Sequence, residues 1–350
     1  MVGTIPETVF IMFQLTFAII TAAITAGSYA ERMKLSSMLI FFALWHFLVY
    51  CPVAHWVWGG GFLMRWGVLD FAGGNVVHIV SGVSGVVGSM ILGPRQQDNT
   101  VRTEHTELMT FIGGCLLWVG WFGFNAGSAL AAGGSAGMAM LVTHISASTS
   151  AFTWMIIEWV RTGKPTVIGV VSGAITGLVI ITPAAGFVDQ TGAFVMGLVG
   201  AAGSYGLVMV KNSLGMDEKP NISLYPDAFG VHAIAGILGG FMTGLFANPA
   251  VAGAAGAFYQ NGEQLGWQIL GMLITIGWTA LVTSIILLAL KFTIGINAEQ
   301  EVEEKMPVTQ EHPLQPAMQM MPMMSPAPMM MMPNTGFYPP YAMGSNMGSA

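Results

Sequence analysis

The chain has 350 residues, of which 54% are hydrophobic and only 8% charged, with a formal net charge of −6. Soluble domains carry about 25% charged residues, so this composition excludes an ordinary solvated surface, and the absence of a basic stripe excludes a nucleic-acid face. Long apolar runs recur, which is the mark of membrane helices, and the 46 glycines suit helices that approach closely in lipid.

Taken in chain order, the apolar runs predict nine spans, at about 8–30, 36–57, 72–93, 108–128, 137–160, 167–186, 191–211, 228–248 and 266–292. They are helices, because backbone groups in lipid must be satisfied within the segment. The first run is too long for a signal-peptide core and lacks a positive flank, so no cleavable leader is expected. Trp56 and Trp58 close the second span as candidate interface anchors. Cys51 and Cys115 lie in apolar runs and read as small core residues, with nothing to support a disulfide. With nine spans, Arg32, Lys34, Arg95, Arg102, Arg161, Lys164, Lys211, Lys219, Lys291 and Lys305 fall on one side and Arg65 alone on the other. Basic residues stay inside, so the C-terminus is expected in the cytoplasm and Met1 outside.

Ionisable residues within the spans are costly and usually functional. The third span opens with Asp70 and His78, and the eighth with Asp227 and His232. His78 is followed by Gly82 and Gly85, and His232 by Gly236 and Gly239, so each segment reads H-x3-G-x2-G. That spacing lines the histidine and both glycines along one helix side. The two segments enter the membrane from opposite sides, as an inverted repeat requires, and such repeats hold a substrate site near the midplane. Separately, each histidine would be satisfied by a backbone carbonyl; together, the matched surroundings favour a shared site. Residues 118–130, rich in Trp, Phe and Gly, read either as a packing belt or as an aromatic cation site. No HExxH pair, Walker loop or GxGxxG fingerprint occurs. The protein is therefore expected not to be an enzyme and to need no cofactor or metal. A large soluble domain would suggest a receptor or sensor, and none is expected here.

Residues 1–294 are read as the membrane domain and 295–350 as a cytoplasmic tail. Residues 295–312 are acidic; beyond them Pro and Met dominate, and the prolines forbid regular helix. The tail is expected to be disordered. Met329-Met330-Met331-Met332 leaves a second reading, Cu(I) held by soft thioethers.

Several strings resemble the motifs of ammonium transporters of the Amt/Mep/Rh family. They are Asp70-Phe71-Ala72-Gly73-Gly74-Asn75-Val76-Val77-His78, Gly120-Trp121-Phe122-Gly123-Phe124-Asn125-Ala126-Gly127-Ser128 and Asp227-Ala228-Phe229-Gly230-Val231-His232, with shorter matches at 13–18, 30–32 and 55–61. The resemblance runs from about Glu7 to Glu304, and Trp58 favours the ammonium-transporter branch over the Rhesus branch. It implies an all-α helix bundle with inverted repeats, assembled as a trimer with one pore per copy in the cell membrane. Eleven helices are implied and nine are present, so a fragment or a truncated gene product is expected. The implied roles are outer recognition of ammonium by Trp58 and Ser128 with Phe13 close by, a gate of Phe17 and Phe124, and a pore lined by His78 and His232. Asp70 and Asp227 would give structural support. Ammonium, or methylammonium as its analogue, would be the substrate, and a PII-type signalling protein the cytoplasmic partner. An ammonium sensor and a non-functional truncated transporter are the alternatives. Met306-Pro307-Val308 stands where the family carries a Gly-Leu-Asp segment, and the Met/Pro extension has no family counterpart.

Overall fold

The computed structural model describes residues 2–30, 32–93, 104–213 and 229–298. Asp227, Glu31 and the tail from 299 onward, with its acidic and Met-rich stretches, lie outside the described residues.

Helix α1 spans Glu7–Tyr29. Its buried positions Phe17, Thr21, Thr25 and Ser28 recur every three or four residues, and this stripe packs on the third span. Its other face exposes Ile11, Met12, Leu15 and Ile19, as a lipid-facing helix should. Helix α2 (Leu35–Trp45) passes through a π-helical turn, His46–Tyr50, into α3 (Cys51–Trp58), and the short α4 (Phe62–Arg65) follows. A second π turn, Gly74–Ile79, leads into α5 (Val80–Leu92). Next come α6 (Glu104–Gly127), α7 (Gly134–Thr162), α8 (Val167–Ile181) and α9 (Gln190–Ser213). A third π turn, Phe229–Ile234, leads into α10 (Ala235–Phe246). The short α11 (Pro249–Ala252) and the long α12 (Gly262–Thr293) complete the bundle.

Seven of these stretches are long and apolar enough to cross a membrane, and Val167–Ile181 and Val231–Phe246 are shorter apolar helices. Together they correspond to the nine expected spans, with one clear difference. The sixth was expected to run to 186, whereas α8 stops at Ile181. Pro183 has no N–H to continue the ladder, and residues 182–187 form turns instead. The cysteines also differ from expectation. Both are free thiols on exposed helix surface, since an apolar run in lipid is as often a lipid-facing side as a core.

The two H-x3-G-x2-G segments pack against each other through their glycines. A Cβ on Gly82 would lie 2.5 Å from the backbone nitrogen of Ala233, and one on Gly236 would lie 3.0 Å from His78 Cβ. The first glycine of each segment thus admits the other. The second glycines admit the flanking helices, Gly85 against Ser28 of α1 and Gly239 against Ile180 of α8. This is the pairwise symmetry of an inverted repeat.

Helix α12 packs along α5 and α10. Thr275, Thr279 and Thr283 are fully buried on it at four-residue spacing. Thr283 Oγ1 lies 3.2 Å from Ser84 Oγ, which also accepts from Trp45 Nε1 at 2.9 Å. Such small polar contacts hold helices together where no hydrophobic force acts between them. Residues 295–298 fold back over the bundle end: Lys34 N donates to Ile296 O, and Asn297 Nδ2 to Leu92 O.

Candidate functional site: an aromatic mouth beside a histidine pair

Five helical segments converge on one line of rings. Helix α1 brings Phe13 and Phe17, one turn apart, with ring centroids 4.8 Å apart. Helix α3 ends in Trp58, edge-on to Phe17 at 5.5 Å. Near its end α6 presents Phe124, 4.5 Å from Phe17, and Trp121, which stacks on Phe124 at 4.8 Å. The π turn before α5 carries His78, parallel to Trp121 at 5.4 Å and to Phe124 at 6.1 Å. The π turn before α10 carries His232, stacked on His78 at 5.4 Å.

The histidines face each other through Nδ1, 3.3 Å apart. This is slightly longer than the 2.7–3.2 Å of an ordinary N–H hydrogen bond. If one Nδ1 donates to the other, the two Nε2 atoms are left unlike, one an acceptor and one a donor. His78 is fully buried, and its Nε2 has no protein partner among the described residues. Each histidine sits on a π turn, a local widening that is common at functional sites.

Above the rings is a cavity of about 450 Å³, lined among others by Phe13, Gln14, Phe17, Trp58, Asp70 and Ser128. Ser128 follows the end of α6 and donates Oγ–H to Phe124 O at 2.8 Å, so its lone pairs remain available. Trp58 donates Nε1–H to Asp70 O at 2.8 Å, which leaves its ring faces for other contacts.

Asp70 does two things at once. Its Oδ1 accepts from Gly73 N (2.8 Å) and Gly74 N (2.6 Å), and its Oδ2 from Asn75 N (2.8 Å) and Val76 N (3.3 Å). It therefore caps the π turn that carries His78, satisfying the orphan donors at that helix start. Burial pushes its carboxyl above the usual carboxylate range, and the four N–H donors oppose that push. The same loop needs a glycine at 73, where φ is +117° and a Cβ would meet Val77 at 2.6 Å.

The loop is pinned from α12 by two glutamines that the sequence reading passed over. Gln268 grips Leu69, accepting from its N at 2.6 Å and donating to its O at 2.7 Å, and Gln264 Nε2 donates to Gly67 O at 2.9 Å. A neutral amide within an apolar run is the signal that could have marked them. Trp121 was expected only as one member of the 118–130 stretch, either a packing belt or an aromatic cation site, with no place of its own beside the histidines. It is 2% exposed, and Thr182 Oγ1 accepts its Nε1–H at 2.9 Å, which fixes its ring beside His78. His46 was also missed; its two ring nitrogens lie 3.0 Å from the carbonyls of Phe42 and Ala18.

The expected site residues within the described residues thus lie close together: Phe13, Phe17, Trp58, Asp70 and Ser128 line the cavity, Phe124 packs on Phe17, and His78 and then His232 follow in the line of rings. Asp70 also caps the turn that carries His78. No group of three or more His, Cys, Asp or Glu that could hold a metal occurs among the described residues. One string, Gly133-Gly134-Ser135-Ala136-Gly137, has the G-x-S-x-G spacing of hydrolase nucleophiles. Ser135 lies exposed in the first turn of α7 with no strand before it, so it is not a nucleophile elbow.

A multi-pass helical bundle, built from an inverted repeat with a polar pair at the repeat interface, is the architecture of a membrane transport protein. The chain matches the Ammonium Transporter Family over residues 1–315 and belongs to that family. It is 48% identical to an ammonium transporter of Aquifex aeolicus over 299 residues, 85% of this chain and 69% of that protein. It is 46% identical to an ammonium transporter of Bacillus subtilis over 303 residues, 86% of this chain and 73% of the relative. Its fold matches the crystal structure of Saccharomyces cerevisiae Mep2 with a TM-score of 0.78 at 36% identity, covering 85% of this chain and 68% of that one. The family is one of transporters and not of enzymes.

Proposed function

We propose that the chain carries ammonium across the cell membrane by capturing the cation at the cavity, removing a proton and passing ammonia along the histidine pair. The observation that carries this reading is the unbroken series of rings from Trp58 through Phe17 and Phe124 to His78 and His232. Trp58 and Phe17 offer π faces to a cation, worth about 0.5–2 kcal/mol. Ser128 offers a hydrogen-bond acceptor. Phe17 and Phe124 close the mouth to bulk water and to hydrated ions.

Beyond them a bare cation meets an apolar lining, where unpaired charge is very costly. Potassium has no way round that cost. Ammonium can shed a proton and continue as a neutral molecule. At the histidines, a donor and an acceptor Nε2 can each bind ammonia, and the shared proton between the Nδ1 atoms offers a route for relay.

Replacing both histidines tests this. In cells without other ammonium transporters, His78→Leu with His232→Leu should abolish ammonium-dependent growth or admit potassium. A double variant that carries ammonium as fast as its parent and still excludes potassium would sink the proton-relay role.

The assembly is proposed as a homotrimer with one passage per copy and the C-terminus in the cytoplasm, where a PII-type protein would act on it. The lopsided distribution of lysine and arginine supports this orientation.

A further inference from the structure

Ammonium presents four N–H donors and no acceptor, so a site that selects it needs hydrogen-bond acceptors as well as π faces. Among the side chains lining the 450 Å³ cavity, only Gln14, Trp58, Asp70 and Ser128 carry nitrogen or oxygen. Trp58 Nε1 is a donor already given to Asp70 O. The Asp70 carboxylate is 6% exposed and each of its oxygens already accepts two backbone N–H groups. Ser128 has spent its proton on Phe124 O and keeps its lone pairs. That leaves Gln14, half-buried between Phe13 and Phe17 on the cavity side of α1. Its carboxamide makes no hydrogen bond with any described residue.

The geometry points to Gln14 as a second hydrogen-bond acceptor for the cation, with Oε1 taking one ammonium N–H and Ser128 Oγ another while the Trp58 and Phe17 faces cover the rest. This rests on reading the cavity as the ammonium mouth. It assigns Gln14 a part in selectivity. Potassium makes no directional bond, so it gains less from a carboxamide backed by aromatic faces. Methylammonium has one N–H fewer, so it depends less on the extra acceptor. Adding negative charge at the same place should strengthen capture of either cation, because hydrogen bonds to an ionised acceptor are the stronger kind.

The test reads binding without transport. The purified protein is unfolded thermally with ammonium chloride or potassium chloride at equal ionic strength, and the ammonium concentration giving half the rise in Tm is recorded. Gln14→Leu should raise that midpoint about tenfold for ammonium, the order expected for one charge-assisted hydrogen bond, and less for methylammonium. Gln14→Glu should lower it. Trp58→Leu serves as the control for the mouth itself. If the wild-type protein shows no ammonium-dependent rise over potassium, both the mouth and Gln14 are wrong. If Trp58→Leu weakens the effect while Gln14→Leu leaves the midpoint unchanged, only the assignment of Gln14 falls. If Gln14→Leu does not assemble, Gln14→Met and Gln14→Glu decide: an unaltered midpoint in both overturns the assignment.

Discussion

Trp58 is held by a single hydrogen bond from Nε1 to Asp70 O, and everything it offers the cavity is ring surface. Trp58→Leu keeps apolar bulk but removes the quadrupole and the Nε1–H bond to Asp70 O, and the loss of cation affinity should be of the order of the cation–π energy, about 0.5–2 kcal/mol. We expect the half-saturating ammonium concentration for uptake to rise roughly two- to thirtyfold, with the protein still assembled. An unchanged concentration dependence would remove Trp58 from the recognition site. Residues of this kind were legible in the sequence for different reasons. His78 and His232 stood out because the same spacing of histidine and glycines occurs twice. Asp70 stood out because a carboxylate at a span edge is expensive. Gln14 and Trp121 did not, because the role of a neutral amide or one more indole depends on how far its helix is rotated about its axis. That rotation is set by packing against neighbours and not by local composition.

At the scale of elements, the contact between the two histidine-bearing helices is backbone against glycine. A side chain at Gly82 would collide with the backbone of Ala233, which cannot yield as a flexible side chain would. Gly82→Val should therefore force the two helices apart, costing about 1–3 kcal/mol or more and lowering Tm in detergent. Gly120→Ala makes the matching control: nothing lies within 4 Å of its Cβ. On α6 that change should be neutral or raise stability by about 0.5–1 kcal/mol. Equal effects of the two substitutions would contradict the packing. Span positions were readable because a membrane helix needs a long apolar run, and most edges fell within a few residues of expectation. The three π turns were not readable, since one extra residue in a helical turn leaves no mark in composition. The early end of α8 was available in principle, from Pro183. The grip of Gln264 and Gln268 on residues 67–69 joins segments about 200 positions apart, and no local pattern reports such a partner.

For the whole molecule, the orientation proposed from lysine and arginine can be tested on exposed positions at opposite bundle ends. Single cysteines at Ser213, the last residue of α9, and at Gln260, before α12, should react with impermeant reagents from the cytoplasmic and the outer side respectively, in a background lacking Cys51 and Cys115. Reaction of both from one side would overturn the topology. The reciprocal contact of Gly82 with Ala233 and of Gly236 with His78 also bears on how such a molecule would work over time. The two segments meet backbone against glycine, and the large side chains between them are the stacked rings of His78 and His232, so the proposed passage resembles a drilled bore more than a pair of jaws. Flux through it should therefore respond to warming only as gently as the fluidity of water does, with no steep activation step. Measured in vesicles across a range of temperatures, a steep dependence would mean that the two histidine helices part and close again for every molecule carried.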